Sequence, residues 1–154
     1  MRNKFQIFAE ITKLRITIFV TVTTMFGFIA ATNSISFQIL LPALGILLLA
    51  CGSAALNHYQ ERKTDVLMDR TKNRPIPAGK ISAKSTFQLS VALVVLGSFI
   101  LFIGSGLLAL SLGLLNLIWY NAVYTPLKKV SPLAIIPGSL VGAIPPVVGW
   151  VAGG

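Results

Sequence analysis

Charge is missing from most of this sequence. Forty-five residues between Arg15 and Glu61 carry no Asp, Glu, Lys or Arg, 43 more lie between Lys84 and Lys128, and 25 run from Val130 to Gly154. A water-soluble surface needs about one charged residue in four, and here only 11% are charged. A membrane-crossing helix needs about 20 mainly apolar residues. Each of the first two runs therefore holds two crossings and a tight turn, and the third holds one. The expectation is an all-α polytopic membrane protein in one domain over 1–154, with about five transmembrane helices. They fall near residues 16–31, 37–56, 85–103, 107–122 and 132–152. A soluble globule, a disordered basic tail and a nucleic-acid binder are disfavoured, despite a net charge of +9.

Punctuation within the runs supports this division. The polar stretch 32–36 separates the first two crossings, and Gly104-Ser105-Gly106 is a turn signal between the third and fourth. Pro145-Pro146 should kink or interrupt the fifth helix. Gly138 and Gly142 form a GxxxG, and residues 50–55 are a run of small side chains; both read as close helix packing. Cys51 is the single cysteine, so no intramolecular disulfide is available, and it reads as a small buried side chain. The basic start lacks a small-residue cleavage site and reads as an anchor rather than a removable signal.

Orientation comes from the basic residues. Arg2, Lys4, Lys13 and Arg15 precede the first crossing. Arg62, Lys63, Arg70, Lys72, Arg74, Lys80 and Lys84 lie between the second and third, and Lys128 and Lys129 between the fourth and fifth. Five crossings put all of them on one side. The positive-inside rule makes that side cytoplasmic, with the N-terminus and the charged loop over 57–84 facing it. The membrane is then the cell's inner or plasma membrane.

Three of the four acidic residues, Glu61, Asp65 and Asp69, fall within nine positions, and Asn57 precedes them by the same step of four. On a helix this spacing draws one slowly drifting stripe where the second crossing leaves the apolar core. Like charges four apart repel, so something should compensate them. One reading is a solvated helix whose carboxylates pair with Arg62, Lys63 and Arg70. The other is an oxygen-ligand site for Mg²⁺, which takes one or two carboxylates and completes its shell with water and substrate phosphate. Arg70, Lys72 and Arg74 would then hold phosphate oxygens.

The segment 57–75 follows the pattern N-x-x-x-E-x-x-x-D-x-x-M-x-R-T-x-x-R-P. It resembles the first aspartate-rich motif of the UbiA-type intramembrane prenyltransferases, and within them the heme O synthase (protoheme IX farnesyltransferase) branch. Tyr124-Thr125-Pro126-Leu127-Lys128-Lys129 is similar to that branch's Y-T-x-L-K-[RK] segment and holds the wider Y-x-x-x-K. Residues 142–150 look like its G-A-x-P-P-x-x-G-W segment, and Lys13-Leu14-Arg15 also fits. The resemblance runs from about residue 8 to the last residue.

It implies that these five helices are the first half of a nine-helix bundle around a cavity open to lipid. It also implies transfer of a farnesyl group from farnesyl diphosphate to a vinyl group of heme b, giving heme O, with Mg²⁺ as cofactor. Asn57, Glu61 and Asp65 match the metal–diphosphate motif, Arg70 and Arg74 its basic tail, and Tyr124 and Lys128 the loop that contacts diphosphate. Asp69 falls where the pattern is variable. The implied partners are farnesyl diphosphate, heme b and the lipid bilayer, with a downstream half or heme-oxidase assembly proteins beside them and no nucleic acid.

Two departures from the family pattern stand out. His58 occupies a position where the superfamily often has Asp; an interfacial imidazole bonded to backbone or water is its plain reading. No Asp or Glu follows Asp69, so the family's second acidic motif is not in this sequence. The expectation is an N-terminal half of a longer enzyme, truncated or split, that forms no heme O when purified alone. Other readings are a UbiA-type enzyme with an aromatic quinone-precursor acceptor, a small membrane transporter, and a non-catalytic heme-binding protein.

Overall fold

Four apolar helical stretches are long enough to cross a bilayer in the computed structural model, which describes residues 3–154: Leu14–Thr32, Phe37–Asp65, Ala83–Leu127 and Pro132–Gly153. Arg2, counted among the basic residues ahead of the first crossing, lies outside the described residues. The third stretch has 45 residues. Held straight it would run about 67 Å, twice the roughly 30 Å of a hydrocarbon core. It is folded back on itself at Gly106, whose φ of 76° and ψ of −175° lie in a region essentially reserved for glycine. Leu101 before the turn meets Gly113 after it: a Cβ on Gly113 would stand 2.9 Å from Leu101 Cδ2. In a continuous helix those residues would be about 18 Å apart. The four stretches are thus five crossing rods, with the Gly104–Gly106 turn where the sequence placed it.

The elements are α1 (Lys4–Ile11), α2 (Leu14–Thr32), α3 (Leu40–Asp65), α4 (Ala83–Ile118), α5 (Thr125–Leu127) and α6 (Ile135–Gly153). Single 3-10 turns at Phe37–Ile39 and Pro132–Ala134 lead into α3 and α6, and a π-helical turn, Trp119–Tyr124, joins α4 to α5. No strand occurs among the described residues. Ile46, Leu49, Leu101, Ala109 and Val148 form the buried core where α3, both arms of α4 and α6 meet.

Small residues set the spacing of these rods. A Cβ on Gly27 would lie 1.9 Å from the Pro146 carbonyl oxygen, and one on Gly149 would lie 1.8 Å from that of Thr24. Helices α2 and α6 therefore touch backbone to backbone, and Gly153 extends the seam. The GxxxG that packs is Gly149–Gly153. Gly142 faces open space and Gly138 faces the Tyr124 ring, so the pair singled out in the sequence is not a helix–helix seam. The small run in α3 does pack closely: Gly52 abuts Val94, and Ser90 Oγ donates to the Gly52 carbonyl at 2.8 Å. Cys51 is buried within it.

Helix α6 passes through Pro145 and Pro146 without interruption; of the kink or break expected there, the break does not occur. Its docking on α2, with the Pro146 carbonyl seated on Gly27, supplies a hold that a solitary helix would lack. A second correction concerns the boundary at residue 56. Helix α3 continues to Asp65, so Asn57, Glu61 and Asp65 lie on a helix and the connecting loop is only 66–82.

Candidate active site

The last two turns of α3 carry Asn57, Glu61 and Asp65 on one face, and that face is buried. Their exposures are 0%, 6% and 4%. Two carboxylates hidden four residues apart repel across a poorly solvated gap. The compensation comes from three cations on three separate pieces of chain. Arg74, from the loop, places Nη1 2.9 Å from both Asp65 carboxylate oxygens and 3.5 Å from Glu61 Oε2. Lys128, just past α5, places Nζ 2.9 Å from Glu61 Oε1. Lys13, at the junction of α1 and α2, donates from Nζ to Asn57 Oδ1 at 2.9 Å. Asn57 Nδ2 in turn donates to Thr125 Oγ1 at 3.0 Å. The loop is tied down as well, since Thr71 Oγ1 donates to the Asp65 carbonyl at 3.0 Å.

Asp69 continues the spacing of four in sequence but not in space. Helix α3 ends at Asp65 and the chain turns, leaving the Asp69 side chain 97% exposed and paired with Lys72 at 2.6 Å. Arg70 is exposed on the same loop and, among the described residues, makes no ion pair with the buried carboxylates. Arg62 lies over the Tyr59 ring, 4.0 Å from its centroid, and donates to the Tyr59 carbonyl. The pairing of the stripe with Arg62, Lys63 and Arg70 is thus replaced by pairing with Arg74, Lys128 and, through Asn57, Lys13. His58 is buried beside the stripe.

Three features of the site had no role assigned from the sequence, although Lys13 stood within the resemblance. Lys13 adopts a left-handed backbone (φ 50°, ψ 46°) between α1 and α2, a strained conformation for a residue with a Cβ. Desolvation, and next the charge of Arg74, hold its ammonium below the usual lysine range, against the opposing pull of Glu61 and Asp65. Tyr120 is the second: its hydroxyl oxygen accepts from Lys13 Nζ at 3.0 Å, and its ring stacks on Tyr124 with centroids 5.6 Å apart. The third is the π-helical turn that carries both tyrosines. It is pinned to α3 by Asn121 Nδ2, which donates to Ser53 Oγ at 2.6 Å, and by Gln60 Nε2, which donates to the Asn121 carbonyl at 3.4 Å. One extra residue in a helical turn rotates the residues beyond it about the axis, and here that brings Thr125 under Asn57 and Lys128 under Glu61.

A cavity of about 340 Å³ opens beside these groups. Lys13, Tyr120, Tyr124 and Lys128 line its polar end, while Ile16, Val20, Leu49 and Val141 are among its apolar walls. Such a space takes a molecule with an anionic head and a hydrocarbon tail. The oxygens of Asn57, Glu61 and Asp65 are hard donors of the kind Mg²⁺ prefers, and two carboxylates suffice when phosphate and water complete the shell. No cluster of three or more His, Cys, Asp or Glu side chains able to hold a metal occurs among the described residues. The donor set therefore fits a cation shared with a phosphorylated ligand, not a closed protein cage.

Comparison with known proteins bears on this arrangement. The UbiA prenyltransferase family profile matches residues 19–154. The protoheme IX farnesyltransferase of Christiangramia forsetii is 40% identical over 146 residues, covering 94% of this chain and 48% of that protein. That of Cytophaga hutchinsonii is 36% identical over 154 residues, covering 99% of this chain and 54% of its own. The chain thus spans about half the length of the curated relatives it matches. A solved structure from work on digeranylgeranylglyceryl phosphate synthase in membranes is similar with a TM-score of 0.88 at 20% identity, over 98% of this chain and 54% of that one. At that identity the likeness is one of fold.

Proposed function

The chain belongs to the UbiA prenyltransferase family, and from that premise we propose that it carries a diphosphate site for moving a farnesyl group from farnesyl diphosphate to a vinyl group of heme b. One observation carries the reading: two buried carboxylates and an amide on one face of α3, met by three cations from three elements at the polar end of an apolar cavity. In this proposal Asn57, Glu61 and Asp65 hold Mg²⁺. The bound ion supplies Lewis-acid neutralisation of the leaving diphosphate. Arg74 and Lys128 exchange their carboxylate partners for phosphate oxygens, and Tyr124 stands beside Lys128. Arg70, exposed on the loop, meets the incoming anion first.

The farnesyl C–O bond then breaks with its electron pair leaving on diphosphate. The vinyl π pair forms the new C–C bond to the allylic cation, and the cation left on the vinyl carbon next to the porphyrin ring takes up water and loses a proton to give a hydroxyl. Ile16, Val20 and Leu49 line the space for the tail and keep water from the allylic cation. The charged end of the bundle faces the cytoplasm of a cell whose inner or plasma membrane holds the protein, by the excess of Lys and Arg there. An ion path is less well supported, because it needs acids lining a pore at membrane depth, and these are closed off by Arg74 and Lys128 at one end of the bundle.

The test is product mass from native membranes with and without this protein, given farnesyl diphosphate, Mg²⁺ and either heme b or 4-hydroxybenzoate. Farnesylated heme is expected. Prenylated 4-hydroxybenzoate in its place would overturn the acceptor, and no Mg²⁺-dependent release of diphosphate with either would overturn the reaction.

A further inference from the structure

Lys13 is half-buried, and among the described residues no ion pair to it occurs. An ammonium has three donors. Two go to neutral oxygens, Asn57 Oδ1 at 2.9 Å and Tyr120 OH at 3.0 Å. Among the described residues no carboxylate lies within ion-pair distance of it, whereas Arg74 has two and Lys128 has one. Desolvating a charge without a counter-charge is costly, and a second cost is stored in the left-handed backbone that points it inward. The desolvation cost carried by this ammonium is relieved when an anion binds, and the backbone conformation keeps it aimed at the place where one would sit. Lys13 also lines the polar end of the cavity together with Tyr120, Tyr124 and Lys128. Tyr120 uses its oxygen to accept from Lys13, so its own proton remains available to an acceptor.

We propose that Lys13, seconded by the Tyr120 hydroxyl, is an anion-binding residue whose missing counter-ion is a phosphate oxygen of the prenyl diphosphate. This rests on the diphosphate reading above and adds to it a contact from the α1–α2 junction that the loop motifs do not supply. Asn57 Oδ1 ties the proposal to the metal. Two cations at one oxygen repel, so Mg²⁺ arriving at Asn57 Oδ1 would displace the Lys13 ammonium toward the phosphate.

The experiment compares the protein with its Lys13→Met and Lys13→Arg variants in detergent or nanodiscs. It measures binding of a non-ionising farnesyl thiolodiphosphate with Mg²⁺, and thermal unfolding without ligand. Lys13→Met is expected to weaken binding by roughly tenfold or more, the size of one charge-assisted contact. Its unfolding temperature without ligand should change little, because loss of the contacts to Asn57 and Tyr120 opposes removal of an uncompensated charge. Lys13→Arg should keep most of the affinity. Wild-type affinity in Lys13→Met overturns the inference and leaves the proposed function standing. No binding by the unaltered protein overturns both. Should Lys13→Met unfold, amine labelling of the unaltered protein decides: protection of Lys13 by inorganic diphosphate with Mg²⁺ supports the inference, and no protection overturns it.

Discussion

Asp65 and Asp69 are both aspartates in register with Asn57, yet the structure separates them completely. Asp65 takes two contacts from Arg74 at 2.9 Å in a buried setting, while Asp69 is almost wholly exposed. Asp65→Asn removes the partner of a half-buried guanidinium, which should cost about 1.5–3 kcal/mol, the worth of hydrogen bonds to a charged group. Thermal unfolding in detergent would read this loss. In a prenyl-transfer assay the same variant should lose about 100-fold or more of its rate, the scale of removing one electrostatic support of a leaving charge. Asp69→Asn should leave both measurements where they were, since solvated pairs such as Asp69–Lys72 contribute little. Equal damage from the two variants would mean that the stripe works as a four-residue unit and that the end of α3 at Asp65 is misplaced.

At the scale of elements, glycine positions separate spacing from sequence pattern. Gly27→Ala or Gly149→Ala would drive a methyl group into a backbone carbonyl, where no side chain can move aside. Overpacking of this kind costs about 1–3 kcal/mol or more, and here it would pry α2 from α6; a lower unfolding temperature and reduced membrane yield would register it. Gly142→Ala should change neither, because nothing lies within 4 Å of the added carbon. Gly106→Ala adds strain of about 1–3 kcal/mol at the reversal of α4, since its φ of 76° is a glycine conformation. A neutral Gly106→Ala would show that the two arms are not joined by that turn.

Across the whole molecule, the basic residues of the α2 start, the α3 end and the α4–α6 connection gather at one end of the bundle, as the contacts of Lys13, Arg74 and Lys128 require. The opposite end holds the turns near Asn33 and Gly106 and no charge. Single cysteines at the exposed positions Ser34 and Leu107 should react with a membrane-impermeant maleimide from the far side, and cysteines at Lys63 and Lys129 only after the membrane is opened. Buried Cys51 gives little background. Labelling of both sets from one side would refute five crossings.

The crossings were legible because hydrophobicity along a chain is a one-dimensional property and the bilayer thickness is fixed. The stripe Asn57–Glu61–Asp65 was legible because it belongs to one helix, whose period turns a spacing of four into a face. Lys13 was not: its partners are 44 and 107 residues away, and only the packing of α2 beside α3 and the π-helical turn brings them within 3 Å of its ammonium. The same holds for Gly149–Gly153 over Gly138–Gly142, identical as patterns and different in what lies opposite. Local periodicity and charge determined the number of crossings and the chemistry available. Which cation meets which oxygen, and which glycine meets which carbonyl, was decided by the register between helices, a property of the packed bundle that no single segment encodes.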